Sequence, residues 1–147
     1  MERLLLDVML GKLATLLRMC GYDAAYALDR GIEADDEILA LAEAEDRLLI
    51  TRDRELAARA ERSLLLESKD VDDQLRELEM AGIELSLDEP SRCAACNESL
   101  EPVSAGEETP EYAPDPDEQP VWCCPDCGQY FWKGSHWDDV ETRLTRF

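Results

Sequence analysis

Apolar positions follow two periods through residues 1–90. Residues 4–6 are three consecutive leucines, a run suited to a strand buried on both faces. Leu10, Leu13, Leu17 and Cys20 then recur at helical spacing and predict a helix over 10–20, with Gly21 suited to the position just past its end. The alternation continues. Strands are expected over 23–28, 47–51 and 63–66. Helices are expected over 35–46 (Ile38, Leu39, Leu41, Ala42), over 53–60, and over 71–81 (Val71, Leu75, Leu78), the last stopped by Gly82. Strands alternating with helices imply an α/β fold, a parallel sheet covered on both faces with right-handed crossovers.

The pattern changes near Asp88-Glu89-Pro90, which divides the chain into 1–90 and 91–147. Residues 97–120 hold eight acids, five prolines and no Lys or Arg, so they read as a loop or a loosely ordered insertion. Beyond it, 136–147 could form one short helix with Trp137, Val140, Leu144 and Phe147 facing one way.

That insertion separates two cysteine pairs. Cys93-Ala-Ala-Cys96 and Cys124-Pro-Asp-Cys127 form a CxxC…CxxC set with 27 residues between. Four thiolates in two tight knuckles make a tetrahedral sulfur site suited to structural Zn²⁺, with rubredoxin-like iron as the rival. A filled S4 site leaves no open position for catalysis. Cys123 is the poorer ligand, since with Cys127 it gives CxxxC. Cys20 falls on an apolar helix face as a small hydrophobe.

Three acids fall where a parallel sheet gathers ligands. Asp7 follows the first strand, Asp35 opens the second helix and Asp53 follows the third strand. Carboxylates there could hold Mg²⁺ or Mn²⁺ and activate water against a phosphate. The plainer alternative is a set of turn residues and N-caps. His136, the one histidine, could act as an acid or base, or brace the C-terminal module by hydrogen bonding.

Net charge alters this picture. The chain carries 35 acids against 15 bases, a net −20, and all but Lys12, Lys69 and Lys133 of the bases are arginine. Acids spread along the whole chain suit a halophilic protein, and an acidic protein of an ordinary cell is the alternative. Such a charge opposes simple polyanion binding. Any nucleic-acid site must rest on metal ions or on local cations, for which Lys12, Arg18, Arg52 and Arg54 are candidates. No apolar stretch approaches the roughly 20 residues that span a bilayer, and no signal peptide is read, so a cytoplasmic protein without a membrane partner is expected.

Several strings together resemble the Mut-seven C-terminal RNase family. They are Leu6-Asp7-Val8-Met9-Leu10-Gly11-Lys12-Leu13-Ala14, Gly21-Tyr22-Asp23, Asp35-Asp36-Glu37-Ile38-Leu39, Thr51-Arg52-Asp53-Arg54-Glu55-Leu56 and Gln74-Leu75-Arg76-Glu77. At the C-terminal end, Cys124-Pro-Asp-Cys127-Gly128, Tyr130-Phe131-Trp132 and Gly134-Ser135-His136-Trp137 are similar to the closing segment of that family's zinc ribbon. The resemblance implies a PIN-like three-layer nuclease fold over 1–90, a zinc ribbon with acidic insertion and terminal helix over 91–147, and a metal-dependent ribonuclease acting on RNA. It puts Asp7, Asp35 and Asp53 at the acidic positions, with Asp36 able to replace Asp35. A fourth acid has no clear equivalent; Asp70, Asp72 and Asp73 are candidates.

On this reading Lys12, in the first turn of the first helix, places a positive charge on the phosphate. Thr51 holds a metal-bound water or orients an aspartate. The competing hypothesis is a non-catalytic RNA- or protein-binding ribbon that uses Trp122, Tyr130, Phe131, Trp132 and Trp137, unless those rings fill the ribbon's own core. A homo-oligomer is left open.

Overall fold

The computed structural model describes residues 2–146. In chain order it contains β1 (Leu4–Leu6), α1 (Gly11–Met19), β2 (Ala24–Tyr26), a 3-10 turn (Ala27–Arg30), α2 (Asp35–Ala44), β3 (Leu48–Thr51), α3 (Arg54–Arg59), β4 (Ser63–Leu65), α4 (Val71–Met80), β5 (Glu101–Pro102), β6 (Trp122–Cys123), β7 (Tyr130–Phe131) and α5 (Ser135–Leu144). The expected strand over 23–28 is shorter, because the chain leaves the sheet after Tyr26 and turns. Phe147, expected on the apolar face of the last helix, lies outside the described residues.

β1 to β4 form a parallel sheet in the order β2-β1-β3-β4. Successive side chains of a strand point to opposite faces. Leu4, Leu6 and Ile50 therefore join Leu13 and Leu17 of α1 and Leu75 and Leu78 of α4 in one core. Leu5, Ala25 and Leu49 pack on the other face with Ile38 and Ala42 of α2 and Leu56 of α3. The fold is thus a three-layer α/β arrangement. Each wholly buried leucine contributes about 2 kcal/mol. Trp137, Val140 and Leu144 of α5 belong to the first core, so the last helix packs among residues far earlier in the chain.

Local chemistry sets the helix ends. After α1 the Gly21 amide donates to the Arg18 carbonyl and the Tyr22 amide to the Leu17 carbonyl, with Gly21 at φ +92°. This paired closure requires a left-handed residue, which glycine adopts at little cost. Asp53 precedes α3, and its Oδ1 accepts from the Glu55 and Leu56 amides.

β5, β6 and β7 form a small antiparallel sheet, none of whose residues enters either apolar core. The two cysteine knuckles have matching backbone bonds. Cys93 N donates to Glu98 O and Asn97 N to Cys93 O; Cys124 N donates to Gln129 O and Gly128 N to Cys124 O. Asn97 at φ +70° and Gly128 at φ +78° hold equivalent left-handed positions.

The first knuckle docks on the outer edge of β2. The Ala24 amide donates to Asn97 Oδ1, and Asn97 Nδ2 donates to Asp23 Oδ1. Arg18, buried, donates from Nε to Ala24 O and from a terminal nitrogen to Ala94 O and Ala95 O. Arg47, also buried, donates to Leu4 O, Asp23 Oδ1 and Glu45 Oε1 at the opposite pole from the strand ends.

Candidate active site and metal centre

The strand order places a switch between β1 and β3. From β1 the chain passes to α1 on one face; from β3 it passes to α3 on the other. In open parallel sheets a crevice forms at the carboxyl ends of two such strands. Asp7 ends β1 there, and Thr51 and Asp53 end β3.

These three residues are linked directly. Thr51 Oγ1 donates to Asp7 Oδ2 at 2.6 Å and accepts from the Asp53 amide at 3.0 Å. Asp7 Oδ1 accepts from the Val8 amide at 2.7 Å. Asp7 is 4% exposed and Thr51 is fully buried, so one rotamer of Asp7 is held by two short bonds. Asp53 uses Oδ1 as the α3 cap, and its Oδ2 makes no hydrogen bond among the described residues. The cap and the candidate ligand are the same side chain.

Asp35 opens α2, whose N-terminus faces the same edge because a crossover helix runs opposite to its strands. Asp36 instead pairs with Arg59 at 2.5 Å. Among the described residues, Asp7, Asp35 and Asp53 do not form a trio with ligand oxygens within 4.8 Å of one another; the four cysteines do. The candidate fourth acids have other partners. Asp70 caps α4, Asp73 pairs with Arg76, and Asp72 lies 3.1 Å from Arg143 of α5.

The candidate cations separate in the same way. Arg18 is spent on the knuckle and the edge strand, because its long side chain reaches the Ala24 carbonyl on the strand and the Ala94 and Ala95 carbonyls on the knuckle. Arg54 pairs with Glu67 on the surface. Lys12 is exposed in the first turn of α1, a turn with no acid and no side-chain cap. Arg52 has no ion pair among the described residues.

Tyr26 carried no signal in the sequence pattern. Its hydroxyl donates to Val8 O at 2.5 Å, and a Cβ on Gly11 would meet that hydroxyl at 3.0 Å. Burial, then the charges of Asp29 and Asp7, push its phenol pKa up. Tyr26 thus props the Asp7–Gly11 turn. Gln74 and Glu77 of α4 clamp the preceding loop through Ser68 O and the Glu67 and Ser68 amides.

Cys93, Cys96, Cys124 and Cys127 have all sulfurs within 4.8 Å of one another, with Cys93–Cys127 at 3.6 Å and Cys96–Cys124 at 3.3 Å. A tetrahedron with ~2.3 Å metal–sulfur bonds has edges of roughly 3.8 Å, so the quartet could hold a structural metal such as zinc. Cys123 lies outside it, its sulfur against the Cys124 carbonyl. Burial pushes the Cys20 thiol up to about 12, which leaves it inert. Of the ribbon aromatics, Trp137 turns out to belong to the main core and not to the ribbon, because it joins the buried cluster that holds the apolar faces of α1 and α4. Tyr112 lies against Tyr130 and Trp132, with ring centroids at 6.3 and 6.1 Å. His136 is exposed at the start of α5.

No helix among the described residues is long and apolar enough to cross a membrane. No curated protein and no solved structure gives a significant match. The Mut7-C RNAse domain family matches residues 2–144, a span that takes in the parallel sheet, its strand-end acids, the cysteine quartet and α5. A match of that extent shows that the chain belongs to the Mut7-C RNAse domain family.

Proposed function

We propose that the chain hydrolyses RNA phosphodiester bonds, with Mg²⁺ or Mn²⁺ held by Asp7 and Asp53 and with Asp35 at the rim. The observation that carries this reading is the Asp7–Thr51–Asp53 link at the strand-order switch. An all-oxygen donor set fits a hard cation. Mg²⁺ commonly takes one or two carboxylates and keeps waters, so the looser placement of Asp35 fits that habit. The cation would lower the pKa of an attacking water and neutralise charge on the phosphate.

The side chains supply the rest. Thr51 holds Asp7 in one orientation, and Asp53 offers Oδ2 while its other oxygen caps α3. Lys12 stands where the α1 dipole favours anions and disfavours a cation, an arrangement that a bound phosphate would reconcile. The cysteine quartet would hold Zn²⁺ as a structural ion, in keeping with a reducing compartment such as the cytoplasm. Elemental analysis separates zinc from iron.

A second reading is a non-catalytic RNA-binding ribbon. It is favoured by a cavity of about 290 Å³ between the ribbon and the core, lined by Tyr130, Phe131, Trp132 and His136 among others. The deciding experiment incubates purified, metal-loaded chain with single-stranded RNA and Mn²⁺ or Mg²⁺, from low to molar KCl. Cleavage abolished by Asp7→Asn supports the hydrolase. RNA bound but left intact under every condition rejects it in favour of the binding module.

A further inference from the structure

The charge inventory leaves two arginines without a carboxylate partner among the described residues, Arg146 near the C-terminal end and Arg52 beside the strand-end acids. Ten arginines of this strongly acidic chain have a carboxylate oxygen within 4.0 Å. Arg52 has none among the described residues, although acids outnumber bases 35 to 15. Its Nε is shielded from solvent and lacks any hydrogen-bond partner. A shielded donor without a partner costs free energy, while the residue as a whole is only partly buried, so the terminal nitrogens of the fork remain open to a ligand.

Its place in the chain bears on that ligand. Arg52 sits between Thr51, which orients Asp7, and Asp53, whose amide returns to Thr51. The end of β3 that carries it is pinned to both neighbouring segments, since Asp7 N donates to Ile50 O and Leu66 N to Thr51 O. A guanidinium carried on this rigid segment has a fixed origin at the carboxyl edge of the sheet. A neighbouring carboxylate would have quenched it, as happens to Arg54 and Arg59, two and seven residues later in the chain.

We infer that Arg52 binds a phosphate of the RNA strand, its planar fork pairing with two phosphate oxygens. The inference deepens the proposed function by assigning a substrate contact, and it rests on that reading for the identity of the ligand. It also accounts for how so acidic a protein holds a polyanion. Arg52 and Lys12 would supply local positive charge where Asp7 and Asp53 supply the cation site.

The test separates contact from catalysis. Binding of a labelled single-stranded RNA is measured in Mg²⁺ with the Asp7→Asn protein as parent, across a KCl series. Adding Arg52→Gln should weaken binding roughly ten- to a hundred-fold, the range for a charge-assisted contact. It should also change the slope of log affinity against log salt by about 0.7, the value for one single-strand phosphate contact. Arg52→Lys should keep the slope but lose several-fold in affinity, because it retains the charge and not the fork. Should the glutamine variant fail to fold, the lysine variant decides alone, and unchanged affinity overturns the inference. Equal affinity and slope in parent and glutamine variant overturn it, as does a parent without measurable RNA affinity at any salt. RNA binding that depends on Arg52, in a wild-type protein that never cleaves, rejects the hydrolase and leaves this contact standing.

Discussion

Asn97, a residue of the first cysteine knuckle, caps the outer edge of the parallel sheet by accepting the Ala24 amide at 3.0 Å. The second knuckle has glycine at the equivalent left-handed position. Asparagine tolerates that conformation and adds a side chain, so one position both turns the knuckle and covers an unpaired strand edge.

A metal prediction follows from this contact. We propose 1–90 and 91–147 as the two units of the chain, with the knuckles and β5–β7 of the second held chiefly by their metal and its α5 by the apolar core of the first. Chelation should release amide protection across the ribbon more than in the first unit. Ala24 should be the exception within β2, exchanging as fast as the knuckle that covers it. Hydrogen exchange resolved by residue checks this, and uniform loss in both parts would show a single cooperative unit. Asn97→Gly should preserve metal binding and selectively deprotect Ala24.

Thr51→Val should separate stability from activity at the strand ends. Valine keeps the shape but removes the donor to Asp7 Oδ2 and the acceptor for the Asp53 amide. Each group left unsatisfied costs about 1–3 kcal/mol. RNA cleavage should fall about 100-fold, a loss typical of misplaced catalytic groups, while Thr51→Ser keeps most of it. Melting curves and initial rates on the two variants check the pair.

Acid should weaken the pole opposite the candidate site. The hydrogen bonds from Arg30 and then Arg47 hold the Glu45 carboxyl down from 4.5 to about 2. Burial acts to raise Asp23, but bonds from Arg47 and Asn97 outweigh it and lower its pKa. A carboxylate depressed on folding stabilises above its unfolded pKa and loses that contribution as pH falls through the folded one. Stability should therefore decline between pH 4.5 and 2. After solvent screening, Glu45 contributes about 1 kcal/mol. Glu45→Gln should lower stability at neutral pH and flatten the acid limb of a melting-temperature profile.

Salt should act in the stabilising direction. At ~0.01 M salt the Debye length is about 30 Å, so carboxylates repel across the whole domain; near 1 M it is about 3 Å. With net charge −20, melting temperature should rise from dilute to molar KCl. A flat or falling curve would reject the halophilic reading without touching the ribonuclease proposal.

Local periodicity made the first core readable. The strand at Leu4–Leu6, the helices under Leu13, Leu17, Leu75 and Leu78, and the glycine stops all follow from short-range rules, and the structure has them there. The cysteine quartet was legible because two-residue gaps fix knuckle geometry. Asp53 was legible as both cap and candidate ligand. Tyr26, Asn97, Arg18 and Arg47 were not. Their roles depend on partners distant in sequence, and a buried arginine and a surface arginine are written with the same letter. Trp137 was visible as part of a helix face but not as part of the main core, since amphipathicity states that a face is covered and not by what.

The placement of α5 has a consequence for the order of assembly. Its residues Trp137, Val140 and Leu144 complete a core begun by β1 and α1, yet they follow the acidic insertion and both knuckles. While the knuckles are open, this helix hangs on a long, self-repelling tether, and closing such a loop costs entropy that grows with the logarithm of its length. A metal that joins Cys93 and Cys96 to Cys124 and Cys127 shortens the tether at a stroke. An ion held there would set when the last helix arrives: refolding with metal present should bury Trp137 early, whereas metal-free chains should pause with one side of the sheet still uncovered.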